Sequence, residues 1–458
     1  MKHLPLVLLA AILAWPFSAG AVESFRTPTG VIAWEKQDAF DGYTLISPVL
    51  STESYLIDME GKVVHTWKTG GRPGMYAEML PNGNIMRGIR VPEKIVPFGG
   101  VSGIIQELDW DGKVVWEKTL NSKAGVTHHA YERMPNGNTL IVCWGYKTYD
   151  EAMKKGRKAG TIPKPGEGMA EGIAYDGFWE DFIVEVDQKG NTVWEWHSWD
   201  HIGKGKDKLD INFKLPVKDY YGDSDWFHMN TVRYIPETNQ ILTVSRNFGE
   251  VYLIDKASGK ITYRWGNPGA YGQGKLPSFG DNGDQQIFGP HDATWQGDGK
   301  ILLFDNGWLR PESNRSRVLI LDTKTNKIVW EYQAQNLNSF NTAFQGSVQM
   351  LPNKNLLITS SQLGHIFEVT QTKRPQIVWE YISPWSHKGA TPMLTEAYAI
   401  DAPGDINLMG NFVHRAFRIA KDHPGLKGKK LGQGKALFPD APKWWEVYSK
   451  AEGYKPAF

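Results

Sequence analysis

Residues 105–116 read IQELDWDGKVVW: a strand of alternating apolar and polar positions, a polar Asp-x-x-Gly turn, and a second strand that stops on a tryptophan. The alternation has the period of a pleated strand, and the glycine supplies the positive φ of a tight reversal. The phrase returns as SYLIDMEGKVVHTW at 54–67, IVEVDQKGNTVW at 183–194, VYLIDKASGKITYRW at 251–265, VLILDTKTNKIVW at 318–330 and IFEVTQTKRPQIVW at 366–379. A second phrase precedes most copies: EMLPNGNI at 78–85, ERMPNGNTL at 132–140, RYIPETNQIL at 233–242, TWQGDGKIL at 294–302 and QMLPNKNLL at 349–357. Proline cannot donate to a ladder and Asn-Gly favours positive φ, so each copy marks a hairpin turn. An inner hairpin followed by an outer hairpin is a four-stranded unit, and its repetition is the signature of propeller blades.

Five units have both halves. The outer hairpin at 54–67 is preceded only by GYTLISP at 42–48, and its missing strand is supplied by FVHRAFRI at 412–419. The chain therefore reads as an all-β, six-bladed β-propeller closed by pairing of N- and C-terminal strands. Residues 1–21 read as a signal peptide, 22–41 as an unpatterned N-terminal arm, 42–421 as the propeller and 422–458 as a C-terminal extension packed on it. The Gly/Lys/Pro-rich stretches 148–177 and 200–225 read as loops, not as a seventh blade.

Composition agrees with many short strands and tight turns: 19 Trp, 48 Gly and 26 Pro in 458 residues. The 51 basic and 50 acidic residues nearly cancel, which removes the electrostatic case for a nucleic-acid or anionic-membrane partner. Lys2 and His3, an apolar run at 4–14 and the small residues Ala19-Gly20-Ala21 have the pattern of a cleaved export signal, so a periplasmic location is expected. No later segment is apolar enough to span a bilayer. The single cysteine, Cys143, sits in an apolar run and reads as a packed small hydrophobe.

The blades are not equivalent where each innermost strand begins. Ahead of the inner turns stand Met75-Tyr76, His128-His129, His228-Met229-Asn230, His291-Asp292 and Gly346-Ser347. Innermost strands line the central channel, so His228 and His291 aim at one mouth. Of the His128-His129 pair, one faces the channel, and His129 is in phase with His291. His365 begins a third strand and His414 lies in the closing strand, both within reach of the channel. Arg317, just beyond the Asp305-Asn306-Gly307 loop, offers a fork of donors for a tetrahedral oxyanion or a partner for a neighbouring carboxylate, and Arg246 reads as structural. Imidazoles beside an arginine suit nucleophilic attack on a sulfuryl or phosphoryl centre with proton transfer, or ligation of a metal in an open three-histidine site. No metal-ligand spacing within one segment, nucleophile elbow or phosphate-cradling glycine loop is present, so no metal, cofactor or nucleotide donor is indicated.

DWFHMNTVRY at 225–234, ILTVSRN at 241–247, HDATWQGDGKILLFDNG at 291–307, SRVLILD at 316–322 and the closing FVHRAFRIAKDHPGL at 412–426 resemble the bacterial arylsulfotransferase family. That resemblance implies an exported six-bladed propeller that moves a sulfuryl group from an aryl sulfate donor to a phenolic acceptor through a sulfated histidine. It places His228 and His291 as substrate-binding or acid-base residues and Arg317 on the sulfuryl oxygens. The family's sulfated histidine belongs to a later blade than HDATW. Here that phase holds Gln345-Gly346-Ser347, and His365 is the nearest replacement, with His414 behind it. The expected catalytic set is thus His291, His228, Arg317 and His365, with His129, Asn230 and Asn306 binding substrate and a homodimer left open. The rival expectation is a non-catalytic propeller that binds a small ligand or protein partner in the same funnel.

Overall fold

The computed structural model describes residues 29–436 apart from 50, 171, 214–222, 338 and 385–411; the signal-like segment and most of the C-terminal extension lie outside the described residues. Six antiparallel sheets form the six blades of a propeller. From channel to rim, the second blade is Pro73–Met79, Ile85–Arg90, Gly103–Leu108 and Val114–Thr119. The third is Gly125–Arg133, Thr139–Lys147, Phe178–Val186 and Thr192–His197, and the fourth Met229–Ile235, Gln240–Ser245, Glu250–Asp255 and Ile261–Trp265. His291–Trp295, Lys300–Asp305, Arg317–Asp322 and Lys327–Tyr332 make the fifth; Ser347–Met350, Leu356–Ser360, His365–Val369 and Ile377–Ile382 make the sixth.

The first blade closes the ring. Its innermost strand, Val413–Ala420, pairs with Gly42–Pro48 from Pro48↔Val413 to Gly42↔Ala420, followed by Glu53–Ile57 and Lys62–Lys68. The arm expected to be unpatterned contributes Gly30–Trp34, a fifth strand on the rim of the sixth blade. Lys435–Ala436 does the same for the first. Both additions cover strand edges that would otherwise offer unpaired backbone groups.

Local chemistry explains the repeated turn. Asp109 Oδ1 accepts from the backbone N–H groups of Asp111 and Lys113 at 3.0 and 2.9 Å, and Gly112 takes φ +85°. Asp58 with Gly61 and Asp187 with Gly190 repeat the arrangement. The strand-ending tryptophans have an inter-blade role. Trp194 donates its indole N–H to Lys256 O at 3.1 Å, Trp330 to Thr372 O at 3.1 Å and Trp379 to Met59 O at 2.9 Å, each on the outer turn of the next blade. The tryptophan thus fills the gap between blades and satisfies a carbonyl there.

Candidate active site

At the start of the innermost strands the backbone leaves regular geometry. His129, His228, Asp292 and Gln345 have φ of 45°, 53°, 43° and 63°. Three of these strands also slip register there, between Thr127 and Tyr131, Met229 and Thr231, and His291 and Ala293. Bulges re-aim side chains, and a non-glycine residue at positive φ costs on the order of 1–3 kcal/mol, so such conformations need support. Buried carboxylates provide it. Asp181 accepts the backbone N–H groups of His228 and Met229 at 3.0 and 2.7 Å, tying the third blade to the fourth. Asp292 accepts that of Val348 at 3.0 Å and ties the fifth to the sixth.

The bulges bring imidazoles from four blades together. The His129 ring lies 4.6 Å from that of His228 and 6.4 Å from that of His291, and the His414 ring is 6.3 Å from His291. His128 stacks on Trp144 at 3.6 Å, and its Nδ1 meets His129 Nδ1 at 2.8 Å, so one of these rings donates and the other accepts. All five rings are buried. Burial is the main cause that holds His128, His129, His291 and His414 well below the usual imidazole range, so they are neutral near pH 7. Among the described residues no three His, Cys, Asp or Glu side chains have the spacing to hold a metal ion.

His291 has a defined tautomer. Its Nδ1 faces two acceptors, Gly289 O at 3.0 Å and Asn306 Oδ1 at 2.7 Å, and therefore carries the proton. Asn306 is itself oriented by donating Nδ2–H bonds to Thr342 O and Gln345 O. The lone pair is left on Nε2, where only a long 3.3 Å bond from the Gln345 N–H reaches it. His228 instead presents Nδ1 to Asp225 Oδ2, an Asp-His dyad that leaves Nε2 for proton transfer. His414 is fully buried with no hydrogen-bond partner on either nitrogen.

Of the remaining predicted residues, Arg317 and His365 are held elsewhere. Arg317 is on a third strand, where it donates to Asp305 at 2.8 Å, Glu331 at 2.9 Å and Gln286 O at 2.6 Å; none of these partners belongs to the histidine group. His365, also on a third strand, binds Glu380 at 2.7 Å and stacks on Phe367. Two strands stand between such a position and the channel, which is why neither side chain joins the cluster. Asn230 spends its amide on Pro290 O at 2.8 Å, joining the fourth and fifth blades, and Asn306 serves His291.

Sequence reasoning missed or undervalued four residues. Asp225 stands three before His228 in the quoted DWFH, an acid at Asp-x-x-His spacing that could have been read as a dyad. Asp181 is an acid inside the apolar run FWEDFIVEV, a signal of a buried carboxylate. Arg246 reads as structural from the sequence; its guanidinium lies 3.9 Å over the Trp308 ring, and its charge is the next cause after burial that depresses His291. Arg415, with no signal beyond its place in the closing strand, crosses the channel to Asn230 O at 3.0 Å and Asp292 at 3.1 Å. The opposite mouth is a separate cavity of about 410 Å³ lined by Glu78, Glu132 and Arg233 at the far ends of the innermost strands, and burial there raises the Glu132 carboxyl to about 7.

Residues 174–391 match the family model for arylsulfotransferase (ASST). Comparison with curated proteins finds no match. Among solved structures, a protein of unknown function from Bacteroides caccae is 12% identical, with 75% of this chain and 94% of that one covered at a TM-score of 0.45. Hydrazine synthase of Kuenenia stuttgartiensis is 12% identical over 78% and 80% at 0.40, and virginiamycin B lyase of Staphylococcus aureus 11% over 76% and 87% at 0.38. At such TM-scores these likenesses carry no information about function.

Proposed function

From the match of residues 174–391 to the arylsulfotransferase family we propose that the chain transfers a sulfuryl group from an aryl sulfate to a phenol through a covalent adduct on His291, without a nucleotide donor. The family supports a transferase with small aromatic donor and acceptor. The observation that carries the finer reading is the fixed Nδ1–H tautomer of His291, which keeps a neutral Nε2 lone pair in a buried cluster of imidazoles.

In the first half-reaction the His291 Nε2 lone pair attacks sulfur, giving up the long Gln345 contact. The sulfur–oxygen bond to the aryl group breaks, and the leaving phenolate takes a proton from His228, whose imidazolium form is stabilised by Asp225. Neutral His228 then accepts the proton of the incoming phenol, whose oxygen attacks sulfur as the sulfur–nitrogen bond breaks. Positioned acid-base catalysis of this kind contributes roughly 10²–10⁴-fold. Charge on the sulfuryl oxygens is met by Arg246 and by ring N–H groups of His129 and His414. These roles go to Arg246 and His414 in preference to Arg317 and His365, because the latter pair is bonded to carboxylates away from the cluster. The export signal expected at the N-terminus agrees with a periplasmic transferase, and no described helix is long and apolar enough to cross a membrane.

The test is to expose purified protein to an aryl sulfate without acceptor, then measure intact mass and map the adduct. An increment of one sulfuryl group on His291, discharged by added phenol and absent in His291→Asn, is expected. An adduct on another histidine overturns the assignment. Absence of adduct, phenol release and sulfated product over a broad donor panel overturns the enzymatic reading and leaves the ligand-binding propeller.

A further inference from the structure

Seven arginines are buried among the described residues. Six of them meet a carboxylate within 3.5 Å, as Arg264 does Glu250 and Arg418 does Glu368. Arg87 is the exception. It is fully enclosed, and among the described residues no carboxylate pairs with it. Its guanidinium donates from Nη2 to Gly71 O at 2.5 Å, while Nε and Nη1 have no partner. Burial pushes the group down to about 10, which still leaves it charged at pH 7. Charges taken out of water need a counter-charge, and buried ones in folded chains are paired.

The layer that Arg87 occupies holds further donors. Arg87 lies on the second strand of the second blade in register with Ala77, and Ala77 packs with Ile85 and Trp67 in the apolar layer between the first and second blades. Trp67 stands opposite Ser54 on the first blade, and Ser54 Oγ meets Ser47 Oγ at 2.8 Å. The Trp67 indole N–H is buried without a partner, and the serine pair uses one of its two hydroxyl hydrogens. A guanidinium, an indole N–H and a hydroxyl therefore share one closed layer as donors.

We propose that this layer binds a small monovalent anion of the chloride class, with the Arg87 guanidinium as its cation and the Trp67 N–H and the serine hydroxyls as neutral donors. One buried positive charge is matched by one negative charge, whereas a divalent anion such as sulfate would leave a net charge in the layer. A halide accepts N–H and O–H donors from any direction, which suits donors arriving from two blades. The first blade is the one closed by the chain's two ends. An anion held between it and the second blade therefore stabilises the closed ring over the opened chain, by mass action.

Thermal unfolding of the whole protein at constant ionic strength tests this, with chloride exchanged for isethionate, an anion too bulky for a closed layer. Saturating sodium chloride should raise the melting temperature by about 2 °C or more over sodium isethionate, and sodium bromide should do the same. Arg87→Gln removes the charge and should abolish the difference between the salts, whatever its own melting temperature, so general salt effects cancel. No chloride gain in wild type, or an equal gain in Arg87→Gln, overturns the site. Should Arg87→Gln fail to fold, wild-type crystals grown in sodium bromide decide the matter. An anomalous peak beside the Arg87 guanidinium and the Trp67 indole is expected. A water or a carboxylate side chain in that place, or peaks at surface lysines alone, which would mean an adventitious ion only, overturns it.

Discussion

Asp225 makes His228 more than another buried ring. A carboxylate on Nδ1 orients the imidazole and stabilises its protonated form, so its removal should hurt most where the leaving group needs a proton. Asp225→Asn is expected to slow transfer from donors with weakly acidic phenols by about 10²-fold or more, and from nitrophenyl sulfate far less. A uniform loss across donors, measured as kcat/KM against phenol acidity, would exclude the dyad. The depressed imidazoles predict a second behaviour. His291 stays neutral below the ordinary histidine range, so adduct formation should persist at pH 5.5. The unfolded chain takes up protons near 6.5 while these buried rings do not. Their contribution to stability is therefore present above pH 6.5 and is lost as pH falls below it. Glu132 acts in the other sense, contributing stability that is lost as pH rises through about 7. Burial raises the carboxyls of Asp181 and Glu250 as well, and they act with Glu132 against the four rings, so the ring contribution is read by difference: His414→Leu should make the melting temperature fall less between pH 6.5 and 5 than it does in wild type, and an unchanged pH dependence contradicts the buried-neutral assignment.

At the scale of elements, the bulged strand starts convert a repetitive scaffold into a site. His129 depends on a neighbouring loop: its backbone N–H bonds to Gly100 O at 3.0 Å, and its ring occupies the space a side chain at position 100 would need. A Cβ on Gly100 would stand 2.1 Å from His129 Cε1, and the residue has φ +95°. Gly100→Ala should therefore destabilise the protein by about 1–3 kcal/mol, from left-handed strain and overpacking, and displace His129 from His228. Denaturant titration and the pH profile of transfer check this. A variant as stable as wild type would mean that the loop yields freely. The hairpin phrases and their turns were legible in the sequence because alternation and Asp/Gly turn chemistry are local. The bulges were not, since slipping by one residue leaves no mark in composition.

Across the whole molecule, the chain's two ends meet in one blade, and the seam is reinforced. Arg418, on the closing strand, donates to Thr44 Oγ1 at 2.9 Å, pairs with Glu368 at 3.3 Å and lies 4.5 Å over Trp379. It thereby joins the first blade to the sixth. Arg418→Met keeps the apolar stem but leaves buried Glu368 without its cation, an arrangement that costs roughly 3–5 kcal/mol. Equilibrium unfolding should show that loss, and the double variant with Glu368→Gln should recover part of it. No recovery would mean that packing on Trp379, not charge, makes the contribution.

By itself the sequence determined the scaffold. Period-2 strands, glycine-bearing turns and a tryptophan at each rim strand specify a blade, because every one of those signals acts over a few residues. Six outer phrases, five of them with an inner partner, then imply a ring closed by the chain's ends. The sequence also marked His129, His228 and His291, through their phase within the repeat. Which side chains meet was decided only by tertiary structure. Arg317 and His365 have the right chemistry but stand two strands from the channel, while His414, Arg246 and Asp225 reach the site from other segments. The strand a residue occupies within its blade is written in the repeat, but which side chains meet across the channel depends on the bulges and on how the blades are laid around the ring, and no local pattern encodes that.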